Sequence, residues 1–418
     1  MPAEDRLEGF YSEQEHMPRD ARDKLKIKVL KEFLEFAWRD SPEVRERLDR
    51  AGIEPKEVTS LDDWKKIPVF KKKELIERQK SGPNLGGLLA CELGELSRIY
   101  QSPGPIYDPE GREPDYWGWA EGFYAAGFRA KDLVQMTFSY HLTPAGLMLE
   151  QPLREIGCAV IPAGPGNTAA QIELMTRLPV TGFVGMASYL RIIADKAVQA
   201  GMDLKTDFNL EVAFVAAERL PESLRKGLEK DFDMIVRQGY GTADLGCIAY
   251  ECPELGGMHI ADRCHVEICD PETHEPLANG ETGEVVVTPF TKTYPLLRFA
   301  TGDLSYIVEE PCACGRTSLK LGGIVGRVDD TAKVKGQFIY PSQAAEALSA
   351  FDRISRWQIR VTNPGGRDEL TLVIDCEGDV DEETCAAAFK KRMKLKPKIE
   401  KGKVAEEAPR LVDERSFE

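Results

Sequence analysis

The sequence has no run of about 18 or more uncharged apolar residues, the span an α-helix needs to cross a bilayer. Nor does it have a basic start backed by an apolar stretch of signal-peptide length; MPAEDRLEGFYSEQEHMPRD is polar and acidic. Both absences predict a cytoplasmic protein with no membrane partner. Internal repeats and low-complexity tracts are missing, which argues against solenoids and disordered arrays. Cationic charge is in deficit: 55 Lys and Arg stand against 70 Asp and Glu, a formal net charge of -15. Such a surface repels phosphate backbones at long range, so no nucleic-acid partner is expected. A small anionic ligand remains allowed, because local N–H groups or a few placed cations can hold a nucleotide against the global field.

What is present suits a soluble globular chain of 418 residues, enough for two or three domains. Ten cysteines in such a chain read as unpaired or metal-binding thiols rather than disulfides. Cys91, Cys158, Cys247, Cys269, Cys376 and Cys385 sit singly and read as small core residues. Near the start, Leu25, Val29, Phe33 and Phe36 recur at helical spacing and predict one amphipathic helix over 20–50. The lysines of KKIPVFKKKEL read as a solvated face. From Asp132, the apolar runs LVQMTFSY, CAVIPAG, VTGFVGM, VAFVAAE and MIVRQGYG alternate with helical stretches, including 168–177, 189–200 and 222–230. This alternation predicts an α/β fold with a mostly parallel sheet covered by helices, and places function in the loops after the strands. After Cys252 the pattern becomes strand-rich, and beyond Gly326 a compact βαββα pattern follows. The division expected is a large domain over 1–326 and a small α+β domain over 327–418.

Four clusters can carry chemistry. Cys252 and His259, with Cys312 and Cys314 far downstream, offer three thiolates and an imidazole, the donor set of a closed structural Zn²⁺ site, the alternative being unligated cysteines; Cys264 or His265 could replace His259. In QGYGTADLG, Tyr240 beside Gly241 can stack on a planar ring, and Asp244 can bind Mg²⁺ beside phosphates or simply cap the next segment across a strand-to-helix connection. LLRFATGDLS sets Asp303 after Gly302 at a strand end, where a carboxylate can accept ribose hydroxyls or close an Asx-turn. GRVDDTAKVKGQFIYPSQ gathers Arg327, Asp329, Asp330, Lys333, Lys335 and Gly336 around the domain junction, or is simply a charged hairpin.

In this order the clusters make nearly the whole chain resemble the phenylacetate-CoA ligase family, a branch of the adenylate-forming superfamily with acyl-CoA synthetases and luciferase. The resemblance implies a large N-terminal domain and a mobile C-terminal lid turning at Asp329 or Asp330. It also implies a reaction: a carboxylate, typically an aryl acid, and ATP give an acyl-adenylate and pyrophosphate, and CoA then gives acyl-CoA and AMP. By position it makes Asp303 the ribose ligand, Arg327 its companion in the nucleotide site and Tyr240 the adenine-stacking ring. Ala217 and Glu218 would border the adenine and acyl pockets, Phe138 and Tyr140 would line the acyl pocket, and Lys335 and Gly336 would border the CoA channel. Cys252, His259, Cys312 and Cys314 match a structural zinc set of some members, and a homodimer is common among relatives.

The departures from the family pattern fall together on phosphate chemistry. Where the family has a glycine-rich phosphate loop ending in Gly-Lys-Pro, YQSPGPIYDPEG keeps only Ser102 and Gly104, and Pro103 and Pro105 remove N–H donors. Ala243 replaces a hydroxyl residue, and Asp244 replaces a Glu. Pro409-Arg410 runs straight into the tail without the family's catalytic lysine, leaving Lys401 and Lys403 as stand-ins. Two readings follow: an active acid–CoA ligase with a divergent phosphate loop, or a degenerate member that binds or transfers a preformed acyl-adenylate or acyl-CoA, or serves as a non-catalytic subunit.

Overall fold

The computed structural model describes residues 3–102, 106–334, 337–339, 341–364 and 368–415. The chain divides into two compact units: residues up to Thr301 with Tyr306–Gly323, and Gly302–Ser305 with Ile324 onward.

The first unit is built on a nine-stranded sheet. Five strands, in the order Ala159–Pro162, Leu133–Met136, Gly182–Gly185, Val212–Val215 and Ile235–Thr242, run parallel. Four more, Gly246–Glu251, Met258–Ile260, Lys320–Leu321 and Ile307–Val308, continue the sheet antiparallel. The helices Ala145–Ile156, Thr168–Arg177, Ala187–Gln199 and Glu222–Phe232 separate the parallel strands, as the alternation predicts. Phe183, Leu190, Ile193, Val215, Leu228, Phe232 and Val236 pack into one buried cluster. Each such side chain contributes about 1.5–3 kcal/mol by leaving water. Arg225, also buried, forks onto Glu251 at 2.7 and 2.8 Å and onto the Val236 carbonyl, fixing the last of these helices to the sheet.

The single helix expected over 20–50 is two, Arg19–Asp40 and Pro42–Ala51. Pro42 has no N–H to continue the ladder and pushes Ser41 into an extended conformation, so the chain turns there. The buried stripe is Leu30, Phe33, Leu34 and Ala37, one position off much of the expected set. A second sheet aligns Phe70–Lys71, Phe299–Ser305, Gly283–Pro289 and Cys264–Cys269. Of the six lone cysteines, Cys158, Cys247, Cys269 and Cys385 are buried and Cys91 and Cys376 half-buried.

The second unit holds a four-stranded sheet in the order Lys398–Lys401, Glu369–Cys376, Ile354–Thr362 and Leu411–Asp413, with helices Pro341–Leu348 and Glu382–Met393. Trp357, Ile359 and Val361 alternate inward and meet Leu372, Ile374 and Phe389. Among the described residues no helix is long and apolar enough to cross a membrane.

Candidate active site

The strand Ile235–Thr242 carries Tyr240 and Gly241 within its own hydrogen-bonded ladder. It does not lead into a helix, as the sequence reading expected. Instead it turns at residues 243–245 into the antiparallel strand Gly246–Glu251, with the register shifting between Tyr240 and Gly241. Close packing explains the glycines: a Cβ on Gly239 would sit 2.5 Å from the Phe214 ring and 2.7 Å from that of Trp119, and one on Gly241 would run into the Gly246 carbonyl oxygen and sit 2.6 Å from Trp119. Tyr240 is buried, and its hydroxyl donates to Thr301 Oγ1 at 3.3 Å.

Asp244 sits in the turn, its side chain only 2% exposed. Lys72, the first residue of helix Lys72–Ser81, donates to its Oδ2 at 2.9 Å, while Oδ1 has no partner. Asp108 faces the same region from the hairpin Arg98–Ser102/Ile106–Glu110, where the register sets Tyr100 opposite Asp108 and Ser102 opposite Ile106. Tyr100, Ser102, Ile106, Asp108 and Glu110 are all buried along this hairpin. Burial, followed by the charge of Asp244, raises the Asp108 pKa, while Ser102 and Lys72 oppose the shift. Asp108 Oδ2 is itself without a partner. Each buried oxygen so left costs about 1–3 kcal/mol.

Ala217 follows the strand Val212–Val215 at φ 69°, a left-handed conformation that strains a residue with a Cβ. The next residue, Glu218, accepts the Ser188 N–H at 2.7 Å and its hydroxyl at 2.8 Å, placing a carboxylate at the N-terminus of Ala187–Gln199. Phe138 and Tyr140 are half-buried in the segment after Leu133–Met136. Burial, then Glu150, raises the Tyr140 pKa.

In the second unit, Asp303 pairs in strand register with Arg327, whose Nη1 donates to Asp303 Oδ1 at 2.9 Å. Gly302, at φ 78°, leaves room for the guanidinium, since a Cβ there would lie 3.0 Å from Arg327 Nη2. Asp329 and Asp330 are exposed in the short turn Val328–Asp330. Lys401 pairs with Asp379 at 2.9 Å and Lys403 with Asp375 at 3.2 Å, so both stand-in lysines have carboxylate partners. Gly104, Lys335 and Gly336 lie outside the described residues.

Cys252, His259, Cys312 and Cys314 converge, their ligand atoms all within 4.8 Å of one another. Cys252 Sγ is 3.5 Å from Cys312 Sγ, and Cys314 Sγ is 3.5 Å from His259 Nε2. A tetrahedral zinc with Zn–S of about 2.3 Å and Zn–N of about 2.0–2.1 Å needs ligand atoms about 3.5–3.8 Å apart, so this donor set fits the metal. His259 Nδ1 lies 3.2 Å from the Ser318 carbonyl, the outer contact that orients a metal-binding imidazole. The Cys252 thiol, hydrogen-bonded to Cys314 and desolvated, has a raised pKa, and the Cys314 thiol a lowered one. His265 and Cys264 are buried outside this cluster.

Sequence reasoning missed Lys72 and Asp108. The alternation of the hairpin could have placed Asp108 inward once its register was known; Lys72 lies in a lysine run with no distinguishing signal.

Residues 125–289 match the family of AMP-binding enzymes. Across 379 residues the chain is 31% identical to the phenylacetate-coenzyme A ligase of Thermus thermophilus, covering 88% of this chain and 84% of that one. The Escherichia coli phenylacetate-coenzyme A ligase is 27% identical over 393 residues, with 90% and 88% covered. A crystal structure of an open conformation of 2-hydroxyisobutyryl-CoA ligase, in complex with 2-HIB-AMP and CoA, superposes with a TM-score of 0.87 at 23% identity over 96% of this chain and 93% of that one. That likeness establishes the fold of an acyl-CoA ligase, and the kinship with the Thermus enzyme over most of both chains goes further: the chain belongs to the phenylacetate-CoA ligase family of adenylate-forming enzymes.

Proposed function

We infer that this protein is an AMP-forming acid–thiol ligase. It joins a carboxylate to ATP, releasing pyrophosphate, and passes the acyl group from the adenylate to CoA, releasing AMP. The observation that carries this reading is kinship over about nine-tenths of the chain with enzymes named for that activity. The same kinship does not favour the degenerate, non-catalytic reading.

The finer assignments rest on this family and on the site geometry. Tyr240 is the adenine-stacking ring, and Asp303 accepts the ribose hydroxyls, oriented by Arg327. Glu218 and Ala217 border the bound adenylate, with Phe138 and Tyr140 toward an aryl or similar acid. Asp244 offers hard carboxylate oxygens suited to Mg²⁺, and the partnerless Oδ1 fits such an ion. When bound, the ion neutralises charge developing on the transferring phosphates. Zn²⁺ belongs to the Cys/His cluster, where it adds folding energy rather than chemistry. The lid is residues 327–418, with Asp329 and Asp330 at its hinge. Lys401 or Lys403 serves the adenylation step only by leaving its present carboxylate partner. A cytoplasmic homodimer completes the reading.

The test is pyrophosphate exchange followed by CoA thioester formation, with ATP, Mg²⁺ and a panel spanning aryl, arylacetic and short hydroxy acids. Exchange with at least one acid is expected. Absence of both exchange and thioester across the panel counts against the ligase assignment.

A further inference from the structure

The family-type phosphate loop is eroded here, and the structure supplies charge from elsewhere. Lys72 reaches Asp244 from a helix outside the loop and outside the strand hairpin that carries Asp244. Asp108 comes from a third element, with only 2% of its surface exposed. Its Oδ2 and Asp244 Oδ1 are both buried without a hydrogen-bond partner. Ser102, buried to 7% exposure, lies against Asp108 and holds its carboxylate by hydrogen bonding, partly opposing the effect of burial. A single lysine faces two carboxylates, so the group is short of one positive charge and has two carboxylate oxygens without partners. Buried charges are normally compensated, and here a proton on Asp108, whose carboxyl burial pushes up to about 7, or a bound cation can offset that deficit. Oxygen donors on a hard anionic pair suit a small divalent cation, and a half-exposed lysine beside them suits phosphate oxygens.

We propose that Asp108 and Asp244 together hold the divalent cation of the nucleotide, and that Lys72, released from Asp244, takes the phosphate role of the missing loop lysine. This rests on the ligase reading and adds to it a second metal carboxylate and a relocated phosphate cation. It makes Asp108 a ligand-binding residue in its own right, where Asp244 alone has a shorter reach than a glutamate.

The experiment is calorimetric binding of α,β-methylene-ATP to the full chain, with Mg²⁺ and separately with EDTA, for the natural protein, Asp108→Asn, Lys72→Met and Lys72→Arg. Thermal melts verify that each variant is folded. Mg²⁺ should tighten binding to the natural protein by tenfold or more. In Asp108→Asn that increment should disappear while the EDTA affinity holds. Lys72→Met should weaken binding about tenfold under both conditions, and Lys72→Arg should recover part of it. Retention of the Mg²⁺ increment by folded Asp108→Asn, or natural affinity in Lys72→Met, overturns the proposal. The acid panel separates the two claims: a natural protein that makes acyl-CoA while Asp108→Asn keeps its increment defeats this inference alone. A protein that forms no thioester while the increment is lost in Asp108→Asn defeats the ligase reading alone.

Discussion

Substituting Cys312 by Ser is expected to remove the metal from the Cys/His cluster while leaving the surrounding fold in place. Cys312 is half-buried in a turn closed by the Gly315 N–H on its own carbonyl at 3.1 Å, so the smaller oxygen opens no core cavity. The backbone on the other side is already held by pairing of Met258 with Glu251 and with Leu321. Because strand pairing holds that framework, the stability at stake is the binding linkage rather than the whole folding energy of a small zinc domain. At a free zinc level of about 100 times the dissociation constant that linkage is about 2.7 kcal/mol. With an unfolding entropy of about 2.1 cal/mol/K per residue over a unit of about 300 residues, the loss is about 4 °C in Tm. Elemental analysis of protein purified without chelator should find one zinc per chain in the natural protein and none in Cys312→Ser. Differential scanning fluorimetry should show EDTA lowering the natural Tm to that of the variant, with no EDTA effect on the variant. A metal-free natural protein, or a variant that retains the ion and its EDTA response, would refute the reasoning.

Arg225→Met should destabilise by about 3–5 kcal/mol, since Glu251 would keep a buried charge without its fork; a urea midpoint within error of the natural one would contradict this. Ala217→Gly relieves the φ 69° strain of about 1–2 kcal/mol against a glycine entropy cost of about 0.5–1, so Tm should rise slightly, and a clear fall would show that the Cβ is needed. Burial, opposed by the Ala120 and Trp119 N–H groups, pushes the Asp115 carboxyl up to about 6. Because this is a raised acid, the native state holds the proton longer than the unfolded chain, and stability from this group falls as pH rises from about 4 to about 6. Chemical denaturation across that window should therefore move the difference between Asp115→Asn and the natural protein in the variant's favour by about 2–3 kcal/mol, and a constant difference would rule the effect out.

Legibility of the sequence followed the range of the interactions involved. The Cys/His set could be read because donor chemistry restricts what such residues do together, whatever the fold between them. Asp303 and Arg327 come from separate motifs, and what the structure adds is their pairing, a matter of strand register over a short span. The parallel strands and their helices were visible in the alternation of period, though the break at Pro42 was overlooked in favour of the apolar stripe around it. Asp108 and Lys72 were illegible for another reason. A carboxylate in a short strand and a lysine in a basic run both have ordinary solvated uses, and only the fold that brings them to Asp244 gives them another. The turn after Tyr240 differs from the expectation because a glycine-rich strand end fits a helix entry as well as a tight hairpin, and the glycines answer to close packing against Phe214 and Trp119, distant in sequence, and against the Gly246 carbonyl of the hairpin itself.

The Cys/His cluster also bears on the order in which the chain can be completed during synthesis. Its first thiol is at Cys252 and its last at Cys314, and between them lie the strands Cys264–Cys269, Gly283–Pro289 and Phe299–Ser305 of a different sheet. The edge of the large sheet, Ile307–Val308 and Lys320–Leu321, is laid down later still. A ribosome emitting the chain from its N-terminus thus releases the parallel strands, through Ile235–Thr242, well before the partners that cover the sheet's other end. The strand Met258–Ile260 stays a raw edge until residue 321 has emerged, some 60 residues later, and Cys314, the last of the four converging Cys/His residues, emerges just ahead of its closure.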